Sequence, residues 1–213
     1  MDPLPVTGVV LAGGQSLRIG QDKALLELGG KPLIAIVAER LASVCQEVVI
    51  ASGPTVRYAD LGFPVVTDRF PNVGALAGLH AGLRAASHEV ALVVACDMPF
   101  LDPRLLRAFV EWVDGFDVAI FRQGENVEPL HAAYRRTCLG PIEAAIRASQ
   151  RRIISFFDQV RVRYVSPAEI RRIDPDLRSF RNVNTQEEWL RVRAEWEEHD
   201  EEKGARPRRS RSQ

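Results

Sequence analysis

The chain has 213 residues, with 28 Lys and Arg balanced by 28 Asp and Glu. This length buries one large core, and the absence of net charge excludes a global field that would hold nucleic acid or an anionic membrane, so any anion site must be local. Three dispersed cysteines, Cys45, Cys96 and Cys138, exclude a disulfide framework or zinc cluster and suggest small buried thiols in a reducing compartment.

Met1 to Pro5 lack both a basic leader and a long apolar stretch, which predicts a cytoplasmic protein that contacts no membrane. The β-branched run Val6–Leu11 predicts a strand buried on both faces, ending at Gly13-Gly14. Without Cβ atoms these glycines let backbone N–H groups approach an anion, and Arg18 and Lys23 follow closely with permanent positive charge. A Gly-Gly turn alone is usually only a turn; the two cations make it a candidate polyphosphate loop. Its spacing fits neither G-x-x-x-x-G-K-[ST] nor G-x-G-x-x-G.

Pro32 is expected in the first turn of a helix running to about Val44. Strands follow at Glu47–Ala51, closed by Ser52-Gly53-Pro54, and at Val65–Thr67, closed by Asp68. A helix is expected over Ala75–Ala86, where Gly78 and Gly82 each cost about 1 kcal/mol relative to Ala, a loss that close packing or a ligand would offset. Val90–Ala95 reads as the central strand and leads into Cys96-Asp97-Met98-Pro99. A helix at Pro103–Trp112 comes next, then strands Asp117–Phe121 and Pro129–Tyr134 around a polar turn, Arg122 to Asn126. Short helices are predicted at Pro141–Ala148, Ile153–Phe157 and Ala168–Ile173, with a strand at Val160–Val165. Thr185 and Glu188 have capping-box spacing for a last helix. Residues 1–196 read as a single domain and 197–213 as a disordered charged tail.

Alternating strands and helices imply an α/β fold with a mostly parallel sheet, whose ligands lie outside the strands' carboxyl ends. Leu11, Ser52, Asp68 and Asp97 all fall at that edge. A lone Asp after a strand is often a cap or turn residue, yet a hard carboxylate at Asp97 suits Mg²⁺ bound with a triphosphate.

Leu11-Ala12-Gly13-Gly14, Ser16, Arg18, Gly20 and Asp22-Lys23-Ala24-Leu25 resemble the signature of the MobA-type nucleotidyltransferases, the molybdenum cofactor guanylyltransferases. Asp68 followed by Gly74-x-Leu76-Ala77-Gly78, Cys96-Asp97-Met98-Pro99-Phe100-Leu101 and Asn182-Val183-Asn184-Thr185 match further segments in the same order. The chain departs from the pattern at Ile19, at Ala75 and at Ser52, where many members carry Met, Pro and Asn.

The resemblance implies a three-layer, Rossmann-like, doubly wound sheet and transfer of GMP from GTP to molybdopterin with release of pyrophosphate. It implies nucleotide contacts from Leu11, Ala12, Gly13, Gly14, Asp68 and Gly74, phosphate contacts from Arg18 and Lys23, and Mg²⁺ at Asp97. Asn182 and Asn184 would orient the pterin side, and His131, Arg135 and Arg136 are candidates for the same site, although a lone His among apolar residues is usually core. Transient contacts with molybdenum-insertion and molybdoenzyme-maturation proteins are implied as well. Guanylyl-transferring members tend to read Leu-Ala-Gly-Gly where cytidylyl-transferring relatives read Leu-Ala-Ala-Gly, and a missing methyl at Gly13 would leave room for the larger purine. The alternatives are a cytidylyltransferase or sugar-phosphate nucleotidyltransferase on the same fold, and a non-catalytic GTP-binding adaptor for molybdoenzymes, against which Lys23 and Asp97 stand.

Overall fold

A computed structural model describes residues 2–14, 22–70 and 72–204, with side chains to residue 198. β1 (Leu4–Leu11) starts two residues earlier than the apolar run suggested, and a 3₁₀ turn (Lys23–Leu25) leads to a small hairpin, β2 (Glu27–Leu28) and β3 (Lys31–Pro32). Gly29 and Gly30 close that hairpin, both at positive φ, as a two-residue turn between right-twisted strands requires. Pro32 belongs to β3: its ψ of 143° is extended, so α1 (Leu33–Ala42) begins one residue later. β4 (Cys45–Ala51) starts two residues before the expected Glu47, and a 3₁₀ turn (Ala59–Leu61) separates it from β5 (Val65–Val66); α2 (Ala75–Ala85), β6 (Val90–Ala95) and α3 (Pro103–Trp112) follow as the residue pattern implied. β7 (Val118–Gln123) and β8 (Asn126–Arg135) leave only Gly124 and Glu125 for their turn. α4 (Leu139–Arg147), β9 (Val162–Val165), α5 (Pro167–Arg171) and α6 (Gln186–Gly204) complete the chain.

Two expectations fail here. Ile153–Phe157 makes turns that lead into a 3₁₀ segment, Phe157–Gln159, which has no side-chain cap, whereas the equally short α5 is started by Pro167 and the Ser166–Glu169 capping box. α6 continues to Gly204 instead of ending at Trp196, since Arg191–Glu187 and Arg193–Glu197 pair across one turn in a run rich in helix formers. The Thr185–Glu188 capping box is present: Glu188 N–H donates to Thr185 Oγ1 (3.2 Å) and Thr185 N–H to Glu188 Oε2 (2.9 Å).

Seven strands form one sheet in the order β5-β4-β1-β6-β8-β7-β9. All pairings are parallel except the two that β8 makes, with β6 and with β7. Strand alternation divides the core into two layers. Val6 and Val10 of β1 with Leu92 and Val94 of β6 meet Ile34, Val37 and Leu41 of α1 and Leu105, Leu106 and Phe109 of α3. Val9, Leu11, Ala91 and Val93 face Leu76, Leu79 and Leu83 of α2 and Ile142 and Ala145 of α4. The fold is therefore the expected three-layer, mostly parallel α/β sandwich. α6 adds a third cluster, with Val183, Trp189 and Val192 against Leu26, Leu28, Leu33 and Ile36.

The two helix glycines of α2 have different causes. A Cβ on Gly82 would come within 2.3 Å of Val9 Cγ1, whereas one on Gly78 would make ordinary contact with Leu11 Cδ2 at 3.4 Å. Val9 is fully buried and stiff at χ1. Gly82→Ala is therefore expected to lower the melting temperature, because overpacking costs about 1–3 kcal/mol against the roughly 1 kcal/mol gained in helix propensity. Gly78→Ala should not lower it, and thermal unfolding of the two variants checks the contrast.

Candidate active site

At the carboxyl ends of β1, β5 and β6 lies a cleft of about 620 Å³, lined among others by Leu11 to Gly14, Lys23, Asp68, Gly74, Asp97, Asn182 and Asn184. Every described residue expected from the sequence to bind nucleotide or pterin, outside the three candidates His131, Arg135 and Arg136, is in that wall. Arg18 lies outside the described residues.

Its centre is a short polar cluster. Lys23 Nζ donates to Asp97 Oδ2 at 2.7 Å and to Asn184 Oδ1 at 3.0 Å, bringing together residues separated by up to 161 positions. The Asn182–Asn184 segment is held there because Val183 N–H donates to the Asp97 carbonyl at 3.2 Å. Asn184 thus belongs to the Lys23–Asp97 cluster itself. Before any substrate enters, the ammonium and the carboxylate neutralise one another in a partly desolvated site.

Arg57 and Tyr58, which the sequence did not single out, organise the turn. Arg57 donates to the Ala12 carbonyl (2.5 Å) and to the Ser52 carbonyl (3.0 Å) and pairs with Asp22 Oδ2 (3.2 Å). Tyr58, at φ 65°, donates its hydroxyl to the same Asp22 oxygen at 2.7 Å, while Asp22 Oδ1 caps the 3₁₀ turn that carries Lys23. A single guanidinium therefore ties the glycine turn, the β4 turn and the Lys23 segment together. The signal was faint, an arginine in an irregular stretch without periodicity.

Gly13 has a different reason from the one its motif suggested. A Cβ there would meet Gly53 Cα at 2.9 Å, so the missing methyl accommodates a close crossing of two backbone turns, not a larger base. Ser52 is fully buried and donates its hydroxyl to the Thr55 carbonyl at 2.7 Å, so its side chain shapes the β4 turn.

Three carried candidates lie elsewhere. His131 is completely buried between Phe109 and Phe180, its Nδ1 3.1 Å from the Ser179 carbonyl, and burial depresses its pKa to about 4. It is a neutral core residue. Arg135 pairs across β6 with Val90, and Arg136 N–H bonds the Glu89 carbonyl, so both sit at the opposite edge of the sheet, Arg135 donating to the Phe116 carbonyl. Cys45 and Cys138 are buried with thiols pushed up to about 12, but Cys96 lines the cleft and is only partly buried.

Two further carboxylates flank the centre. Burial raises the pKa of Asp68, against the opposing influence of His80, and its Oδ1 is buried with no hydrogen-bond partner among the described residues. Such an orphan acceptor costs free energy unless a ligand N–H satisfies it. Glu128 on β8, overlooked in the sequence, lines the other end of the cleft. Among the described residues no group of three or more His, Cys, Asp or Glu is placed to hold a metal by itself. A single hard carboxylate at Asp97 instead fits a Mg²⁺ that keeps most of its oxygen shell from phosphate and water.

A glycine turn that lines the cleft, a lysine paired to a carboxylate and an orphan acceptor on Asp68 are the parts of a nucleotidyltransferase. The model of the MobA-like NTP transferase domain matches residues 8–162, and the chain belongs to that family. It is 43% identical over 190 residues to the probable molybdenum cofactor guanylyltransferase of Pelotomaculum thermopropionicum, covering 89% of this chain and 93% of that one. It is 39% identical over 191 residues to the molybdenum cofactor guanylyltransferase of Desulfosudis oleivorans, covering 89% and 95%. The crystal structure of molybdopterin-guanine dinucleotide biosynthesis protein A from Archaeoglobus fulgidus superposes with a TM-score of 0.80 at 29% identity, covering 91% of this chain and all of the other. Among the described residues no helix is long and apolar enough to cross a membrane.

Proposed function

We propose that the enzyme transfers GMP from GTP to molybdopterin, releasing pyrophosphate and forming the molybdopterin guanine dinucleotide cofactor. The observation that carries this reading is the Lys23–Asp97–Asn184 cluster at the mouth of the glycine turn, in a chain 43% identical to a probable guanylyltransferase. A terminal phosphate oxygen of the pterin substrate attacks the α-phosphorus of GTP; the new P–O bond forms as the bond to the bridging oxygen of pyrophosphate breaks. No covalent enzyme intermediate is required.

Protein groups position and compensate charge. The backbone of Leu11 to Gly14 and the α2 amino terminus at Gly74 border the nucleotide, and the orphan acceptor of Asp68 suits an N–H of the guanine edge. Lys23 turns from Asp97 to the phosphates, and Arg18 is assigned to the same phosphates by its motif. Asp97 would hold Mg²⁺, which would supply charge neutralisation to the triphosphate. Asn182 and Asn184 hold the pterin side of the cluster in place. Proteins that insert molybdenum or receive the finished cofactor are the partners such a product calls for.

Guanine selectivity then rests on groups other than the methyl-free space at Gly13, which the Gly53 crossing fills. In a competition at equal GTP and CTP, GMP transfer should dominate, because a site that pairs a base edge leaves its own polar groups unsatisfied with the wrong base. Preferential CMP transfer would overturn the guanylyl assignment, and absence of pyrophosphate release would favour a binding adaptor.

A further inference from the structure

We propose that Glu128 binds the pterin ring of the second substrate, its carboxylate accepting from the ring N3–H and 2-amino N–H of the 2-amino-4-oxo edge. The inference rests on the guanylyl-transfer reading above and assigns the other half of that site.

Glu128 stands beside a break in the sheet. Ile120 of β7 pairs with Ala132 of β8, but the next residue, Phe121, pairs with Glu128, so Pro129, Leu130 and His131 oppose nothing on β7. Bulges of this kind re-aim side chains and recur beside active sites. This one is held on both sides: buried Tyr134 donates its hydroxyl to the Pro129 carbonyl at 2.8 Å, and His131 meets the Ser179 carbonyl at 3.1 Å. Both bonds fix the bulged segment next to Glu128, which lines the cleft.

Leu130 N–H donates to Glu128 Oε1 at 3.0 Å and is the only hydrogen bond to this carboxylate among the described residues. Burial, the largest influence, raises its pKa, the Leu130 bond lowers it, and the charge of Asp97 raises it again. The second carboxylate oxygen has no hydrogen-bond partner among the described residues, and adjacent N–H groups on a planar ring supply two donors in the geometry a carboxylate accepts.

Sheet order says which substrate this is. Asp68 follows β5 and Glu128 lies on β8, four strands apart in the order β5-β4-β1-β6-β8, with the Lys23–Asp97 pair between them at the end of β6. At roughly 4.8 Å per strand that separation is roughly 19 Å, farther than one base reaches. A nucleotide whose base meets Asp68 and whose phosphates meet Lys23 leaves Glu128 to the acceptor.

The test is steady-state guanylyl transfer by the full-length enzyme, varying molybdopterin at saturating MgGTP and then GTP at saturating molybdopterin. Glu128→Gln presents an N–H where an acceptor is needed and should raise the KM for molybdopterin by about 10- to 100-fold, with the KM for GTP unchanged. Glu128→Asp keeps the carboxylate one methylene short and should fall between. Unaltered thermal unfolding and GTP affinity of both variants exclude a folding defect. An unchanged molybdopterin KM, a rise confined to GTP or a parallel rise in both would overturn the assignment. Wild-type enzyme that transfers CMP instead would overturn the guanylyl reading alone and leave the same comparison to be made with CTP.

Discussion

Lys23→Ala is expected to lower turnover by about 10²- to 10³-fold, the effect of removing one preorganised charge from a phosphoryl-transfer transition state, or about 2.7–4 kcal/mol. Stability should fall by about 1–3 kcal/mol, less than the loss in the transition state, since the side chains of Lys23 and Asp97 are 21% and 11% exposed and removing the ammonium leaves a mostly buried carboxylate without its charged partner. The expectation follows from geometry: the ammonium bridges the Asp97 carboxylate and the Asn184 side-chain oxygen. Lys23→Arg keeps the charge but spreads it over a planar fork, so it should recover only part of the rate. Pyrophosphate release with parallel thermal unfolding measures both quantities. Turnover at the wild-type level in Lys23→Ala would remove the residue from the mechanism.

Asp97→Asn is expected to lower turnover by at least about 10²-fold at a fixed metal concentration and to move the Mg²⁺ titration to higher concentration, because an amide oxygen is a far poorer ligand than a carboxylate. Its shape is conserved, and Asn can still accept from Lys23, so the fold should survive. The metal titration discriminates. If activity falls while the Mg²⁺ midpoint stays where it was, Asp97 acts by orienting Lys23 and not by holding a cation.

Both residues were legible in the sequence because each stands next to a signal that local rules can read. Lys23 follows a glycine turn at the end of an apolar strand, and Asp97 ends the most apolar strand of the chain, with Pro99 beyond it disfavouring helix at Met98. Glu128 carried no such mark. Its place depends on the β7–β8 register, in which Phe121 opposes Glu128 and three residues of β8 are skipped. Arg57 was equally hidden, since its three partners lie on segments remote from one another: the glycine turn, the β4 turn and Asp22.

The sequence by itself determined most strands and helices, the carboxyl edge that carries the candidate site and, separately, the two charged residues at its centre, because periodicity, glycine turns and strand-end carboxylates act within a few residues of one another. Only the tertiary structure decided that Gly13 is required by Gly53, that Ser52 turns inward, that His131 is core, that Arg135 lies at the far edge and that Glu128 enters the cleft. Each of those outcomes depends on which strand neighbours which, and a pairing between distant segments is set by burial summed over the whole sheet, not by the residues on either side.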